Sequence, residues 1–215
     1  MVLKHPARSK QRECYSEMLP EIYSKIPEDN ISLKGFLKLM GEPGKLIISM
    51  LLAAPFLIPI SIPGTGIIAG LIIFTMGISI IFNRDLIPNR FMKIQISHEN
   101  LIKALNITFR VLNYLEKFVK PRFLIMTSGS ITPNINKFFF IISSILFIFP
   151  LPIPLTDTLP ASGIFLLAAG TLECDGYLIL AGYIMVIITL LYFGLAIVIG
   201  WNEISAGISY LISNL

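Results

Sequence analysis

Charge is scarce in this chain. Asp, Glu, Lys and Arg make up only 14% of 215 residues, against about 25% in an ordinary soluble domain. Between Lys45 and Arg84 there is no charged residue, and residues 138–202 contain only Asp157, Glu173 and Asp175. No Lys or Arg follows Lys137. Cysteine is nearly absent: Cys14 and Cys174 lie in unrelated regions, which argues against a disulfide and leaves no metal-ligand spacing. His98 has no His or Cys nearby and reads as an exposed residue in a first helical turn. There is no Ser/His/Asp set and no HExxH, and Pro63-Gly64-Thr65-Gly66 lacks the lysine and strand context of a phosphate loop. Nothing therefore supports soluble catalysis, a cofactor or a metal, and the chain reads as a non-enzyme. Residues 1–45 contain no apolar core of a signal peptide, so insertion is expected to begin at the first internal hydrophobic segment.

What is present is apolar. Hydrophobic residues make up 54% of the chain and its mean hydropathy is +0.78. Uncharged apolar stretches this long are solvated by a membrane more readily than by a soluble core of this size. Of the 17 basic residues, eight lie in residues 1–45 and nine in residues 83–137. The positive-inside rule puts both regions, and the N-terminus, on the cytoplasmic side of a bacterial inner membrane. Juxtamembrane lysines need no nucleic acid to explain them; membrane lipids are the expected partner.

Prolines and glycines divide the apolar sequence. Residues 54–70, APFLIPISIPGTGIIAG, and residues 149–170, FPLPIPLTDTLPASGIFLLAAG, are interrupted in the same way. Displaced by 97 positions, Pro63-Gly64-Thr65-Gly66-Ile67 falls on Pro160-Ala161-Ser162-Gly163-Ile164, a weak internal repeat. The pattern predicts an all-α integral membrane protein. It is built from two Pro/Gly-broken helical hairpins, a C-terminal transmembrane helix and interfacial amphipathic helices. A polar cytoplasmic tail (1–31) leads into a short interfacial helix (32–44) capped by Ser32, its apolar face formed by Leu33, Phe36, Leu37 and Met40. The first hairpin occupies 45–83. A cytoplasmic connection (84–137) carries an amphipathic helix at 98–119, too charged at its centre to cross. The second hairpin occupies 138–175, followed by a spanning helix at 177–200 and an interfacial tail at 201–215. The hairpins either cross or re-enter, and basic flanks at Lys45 and Lys137 favour parallel over inverted repeats. One copy makes a thin wall around any cavity, so a homodimer is expected.

Backbone unwound at membrane depth offers free N–H and C=O groups to a polar solute, and paired broken segments mark such sites in secondary transporters. On this basis the candidate binding residues are Pro63, Gly64, Thr65 and Gly66 in the first break and Thr156, Asp157, Thr158, Ser162 and Gly163 in the second. Glu173 and Asp175 are added at the end of the return helix. Asp157 is the sharpest of these, because a carboxylate in an apolar segment must be paired, protonated or solvated; the alternative is an exposed turn. Three acids with no base in the second half favour a small cationic solute, such as a basic amino acid, with proton coupling open.

Met40-Gly41-Glu42-Pro43-Gly44, Pro55-Phe56-Leu57-Ile58-Pro59 running into Ile62-Pro63-Gly64, and Arg84 with Leu86-Ile87-Pro88 resemble the exopolysaccharide synthesis ExoD family. Leu115-Glu116-Lys117 leading to Pro121-Arg122, Pro150-Leu151-Pro152, Leu159-Pro160-Ala161 and Asp175-Gly176 continue that pattern in order, over about residues 32–195. The chain departs from it at Pro43, where the family tends to have Arg, and at Gly77-Ile78, where it tends to have Gln. The resemblance implies a bacterial inner-membrane protein associated with exopolysaccharide production. It opens a second reading, an accessory protein of synthesis or export that handles a lipid-linked intermediate.

Overall fold

The computed structural model describes residues 31–58, 65–82, 95–97, 99, 102, 103, 106, 132–149 and 154–213. Among them are six α-helices: α1 (Leu33–Met40), α2 (Glu42–Ala53), α3 (Thr65–Phe82), α4 (Thr132–Ile148), α5 (Thr158–Leu172) and α6 (Gly176–Ser213). The two-residue strands β1 (Ile31–Ser32) and β2 (Gln95–Ile96) pair antiparallel, Ile31 opposite Ile96. The tail before residue 31, Pro63, Gly64 and most of the amphipathic segment 98–119 lie outside the described residues.

Local chemistry explains most helix ends. Ser32 caps α1 by accepting the Gly35 N–H at 3.1 Å. The predicted apolar face of α1 is buried, but against the bundle: Leu33, Phe36, Leu37 and Met40 all join the common core. Gly41, at φ +63°, ends the helix. The expected interfacial helix runs to residue 44, whereas α1 ends at Met40 and α2 already begins at Glu42. Pro43 falls in its first turn, where a missing N–H costs nothing. Helix α2 gives way at Ala53 to a 3-10 turn, Ala54–Leu57, because Pro55 cannot donate to the α-helical ladder. Helix α4 starts six residues before the expected 138, and α5 starts at Thr158. Helix α6 runs unbroken through the positions assigned to a separate tail.

Helix α5 is the centre of the bundle. It packs against α2, the 3-10 turn, α4 and α6. Its buried residues lie on every side, among them Ala161, Ile164, Leu167, Ala168 and Leu172. A helix that is apolar all round belongs in an interior.

Contacts between helices fix their directions. Gly70 of α3 meets Ile148 of α4, and Gly77 meets Phe140 and Ile141, so α3 and α4 are antiparallel. Gly170 of α5 meets Ile179, Gly163 meets Val186, and Gly182 of α6 meets Leu167, so α5 and α6 are antiparallel as well. Ser143 of α4 donates to the Pro160 carbonyl at 2.8 Å, closing α4 on α5. Lys137 lies 3.6 Å from Glu42 and donates to the Ile80 carbonyl at 3.4 Å. The start of α2, the end of α3 and the start of α4 therefore share one end of the bundle, termed the base. At the other end, the tip, Phe56 and Phe147 meet edge to face at 4.9 Å. Both helix pairs rise from the base, turn at the tip and return.

Gly77 shows why the larger residue suggested by the family resemblance has no room here: a Cβ would already sit 3.1 Å from the Phe140 ring.

Candidate functional site

The tip brings the two breaks together through one carboxylate. A Cβ built on Gly66 would lie 3.2 Å from Asp157 Oδ1 and 3.5 Å from Oδ2, so the side chain of Asp157 rests against the first turn of α3. The first N–H groups of a helix have no partner within it, and the helix start is favourable for negative charge. Asp157 precedes α5 but does not cap it with its side chain. Its own backbone is already helical, at φ −88° and ψ −37°, whereas a capping residue normally keeps an extended backbone. Its carbonyl instead accepts the Ala161 N–H at 3.1 Å, and the Leu155 carbonyl accepts Leu159 N–H at 3.1 Å. The start of α5 is served by backbone, and the carboxylate is left to reach α3.

The neighbours of Asp157 are held from several sides. Leu155 adopts φ +67°, a left-handed bend that turns the chain into α5. Thr156 is buried and Thr158 half-buried. Tyr192 of α6 donates its hydroxyl to the Pro154 carbonyl at 2.6 Å, tying the turn to the long helix. Ser162, by contrast, donates to the Leu159 carbonyl of its own helix at 2.6 Å. Gly163 serves packing: a Cβ there would meet Ser143 Oγ at 2.8 Å and Val186 at 3.0 Å. Thr65 and Gly66 open α3 directly beside the carboxylate.

The structure does not bring Glu173 and Asp175 to this place. They follow the far end of α5, a helix of 15 residues, about 22 Å long. Asp175 is buried and caps α6: Oδ1 accepts the N–H groups of Tyr177 at 2.7 Å and Leu178 at 3.3 Å. Its own N–H donates to the Gly170 carbonyl at 2.8 Å, with Cys174 at φ +52° in between. That is a Schellman-type ending with cysteine where glycine is usual. Glu173, also buried, is the last residue of the α5 cap.

Several polar groups at the base carry no sequence signal of their own. Lys45 is buried at 7% exposure, and its carbonyl accepts from Ser49 Oγ at 2.8 Å. Asn136 of α4 accepts a hydrogen bond from the hydroxyl of Tyr183 on α6, whose ring also packs on Phe139 at 4.4 Å. In the sequence, Lys45 and Asn136 look like ordinary flanks of apolar runs. Only the helix ends placed beside them show that they are interior. Among the described residues no three His, Cys, Asp or Glu side chains converge as a metal site would require.

The arrangement can do two things chemically. A carboxylate accepts hydrogen bonds from hydroxyl or N–H groups and attracts cations. The helix start beside it supplies donors. No lysine or arginine is among the described residues of the tip, so a phosphate has no cation to meet there.

Comparison with known proteins gives the family. The profile "Exopolysaccharide synthesis, ExoD" matches residues 15–195, beginning before residue 32, where the sequence resemblance starts. Protein ExoD of Rhizobium meliloti (strain 1021) is 32% identical over 194 residues, covering 89% of this chain and 80% of the relative. No solved structure matches. With most of its length matched by the profile and by this relative, the chain belongs to the ExoD family of exopolysaccharide synthesis.

Proposed function

We propose that this protein is a membrane-embedded, non-enzymatic accessory component of exopolysaccharide synthesis or export that holds a lipid-linked intermediate at the tip of its helical hairpins. The family assignment carries the reading.

The exposed surface supports the membrane part. Helix α6 contains a 25-residue stretch, Gly176–Gly200, apolar and long enough to cross a bilayer, and only 22% of its most apolar window is buried. The core helix of a soluble protein would be covered. Three shorter apolar helices accompany it in the chain, Gly66–Phe82, Pro133–Ile148 and Thr158–Leu172. Outward faces of α3, α4 and α6 carry Ile68, Phe82, Phe138, Leu191 and Leu195 at 59–63% exposure. So much exposed apolar surface is a liability in water and ordinary in lipid.

The tip chemistry supports the ligand part. Asp157 and the start of α3 suit the hydroxyls of a sugar headgroup, while the lack of a basic residue among the described residues there disfavours docking through phosphate alone. Transport of a small cationic solute is the reading that the broken segments first suggest, and the family assignment gives it no support. The carboxylate beside two helix starts is the one observation in its favour.

Complementation separates the two. In a strain lacking this gene, the wild-type protein should restore exopolysaccharide yield. The Asp157→Asn variant should reach the membrane at wild-type level yet restore little, because losing a charged hydrogen bond of about 1.5–3 kcal/mol weakens binding roughly ten- to a hundredfold. Normal exopolysaccharide in the deletion strain would overturn the proposal. Asp157-dependent uptake of a basic amino acid into proteoliposomes would favour transport.

A further inference from the structure

The long helix provides a ruler for the hairpin beside it. Contacts of Gly170 with Ile179, Gly163 with Val186 and Gly182 with Leu167 set the α5–α6 register. Continued to the start of α5, that register puts Thr158 level with Leu191. The hydrogen bond from Tyr192 to the Pro154 carbonyl ties the tip at the same height. The start of α5 thus lies about 22 Å along α6 from Gly176. Beyond it the apolar sequence continues for about another 13 Å, to Gly200. The first side chains that break it are Trp201, Asn202 and Glu203, residue types expected at a membrane surface.

Among the described residues, that upper part of α6 stands alone. Nothing lies within 4 Å of where a Cβ would sit on Gly194 or Gly200, and Leu195, Ile197, Val198 and Ile199 are 58–63% exposed. A hydrocarbon layer is about 30 Å thick, so the start of α5, about 22 Å from the base, lies roughly 8 Å below the far surface.

We propose that the second hairpin is re-entrant: α4 enters and α5 leaves through the same membrane face, and α6 alone of these three crosses. Lipid acyl chains cover the uncovered part of α6 above the tip. Asp157 is thereby held within the hydrocarbon layer, where the first turn of α3 replaces the water it has left. This inference rests on the membrane reading given above.

Thiol labelling in intact cells tests it. In a Cys14→Ser, Cys174→Gly background, single cysteines are introduced at Leu155 and Phe149 on the tip and at Ser205 beyond Trp201, then exposed to a membrane-impermeant maleimide. Ser205→Cys should label from outside. Leu155→Cys and Phe149→Cys should label at least about tenfold more slowly, since the thiolate is the reacting form and an apolar site disfavours it. Detergent should bring them level. Tip cysteines that label as fast as Ser205→Cys, in a protein retained by membranes through alkaline carbonate extraction, would overturn the re-entrant hairpin and leave the membrane reading intact. Release of the protein by that extraction would overturn both.

Discussion

The two ends of the bundle solve the same problem differently. At the base, each polar group has a partner: Asp175 caps its own following helix α6, Lys137 reaches both Glu42 and the end of α3, and Asn136 receives the Tyr183 hydroxyl. At the tip, the single described carboxylate caps nothing in its own helix and lies against the start of another. A carboxylate bound to its own helix end is part of the scaffold. One that bridges two hairpins can exchange its partner for a ligand. Sequence proximity to prolines marks the second kind, but only the three-dimensional arrangement separates it from the first.

Substitutions at the two ends should differ in kind. The largest loss of stability is expected from Gly170→Leu. Even a Cβ would fall 2.8 Å from the backbone nitrogen of Ile179, which cannot move without displacing α6. Overpacking of this sort costs about 1–3 kcal/mol or more, and detergent-purified protein should melt lower or aggregate in size-exclusion chromatography. Asp175→Ala comes next: the α6 cap is lost at about 1 kcal/mol, read as a lower melting temperature that Asp175→Asn largely restores. Gly66→Ala should be the smallest. Its new methyl meets the end of a flexible side chain at 3.2 Å, so Asp157 can swing away at a cost of a few tenths of a kcal/mol. Exopolysaccharide complementation should nevertheless fall. A Gly66→Ala protein as unstable as Asp175→Ala, or one fully active, would erase the distinction between tip and base.

Much of the scaffold is readable from the residues. The apolar face of α1 and the Ser32 cap follow from spacing and side-chain chemistry, and the structure shows both. The break at Pro55 and the end of α4 at Ile148 also follow, since proline cannot donate to a helix. Helix starts are harder. Thr132 and Thr158 open their helices ahead of the apolar runs, because a helix continues through polar and proline-bearing first turns that hydropathy alone excludes. The central position of α5 is likewise invisible along the chain: its residues are no more apolar than those of α3, and only packing on several sides distinguishes it. The candidate site was half legible. Asp157 stands out by charge in an apolar segment, and Gly66 as part of the first break. Grouping Glu173 and Asp175 with them fails for a geometric reason: α5 separates them by its whole length.

Glycines also set an order in time. Both return helices carry two of them seven positions apart, Gly70 and Gly77 on α3, Gly163 and Gly170 on α5. Two helical turns place each pair on one side. The α3 pair receives α4, and the α5 pair receives α6. Each pair therefore accepts an apolar helix synthesised later, while Gly163 also lies against Ser143 of the earlier α4. A chain leaving the ribosome N-terminus first presents each docking groove before the helix that fills it, so the bundle can be closed by successive additions to its growing end without reopening contacts already made.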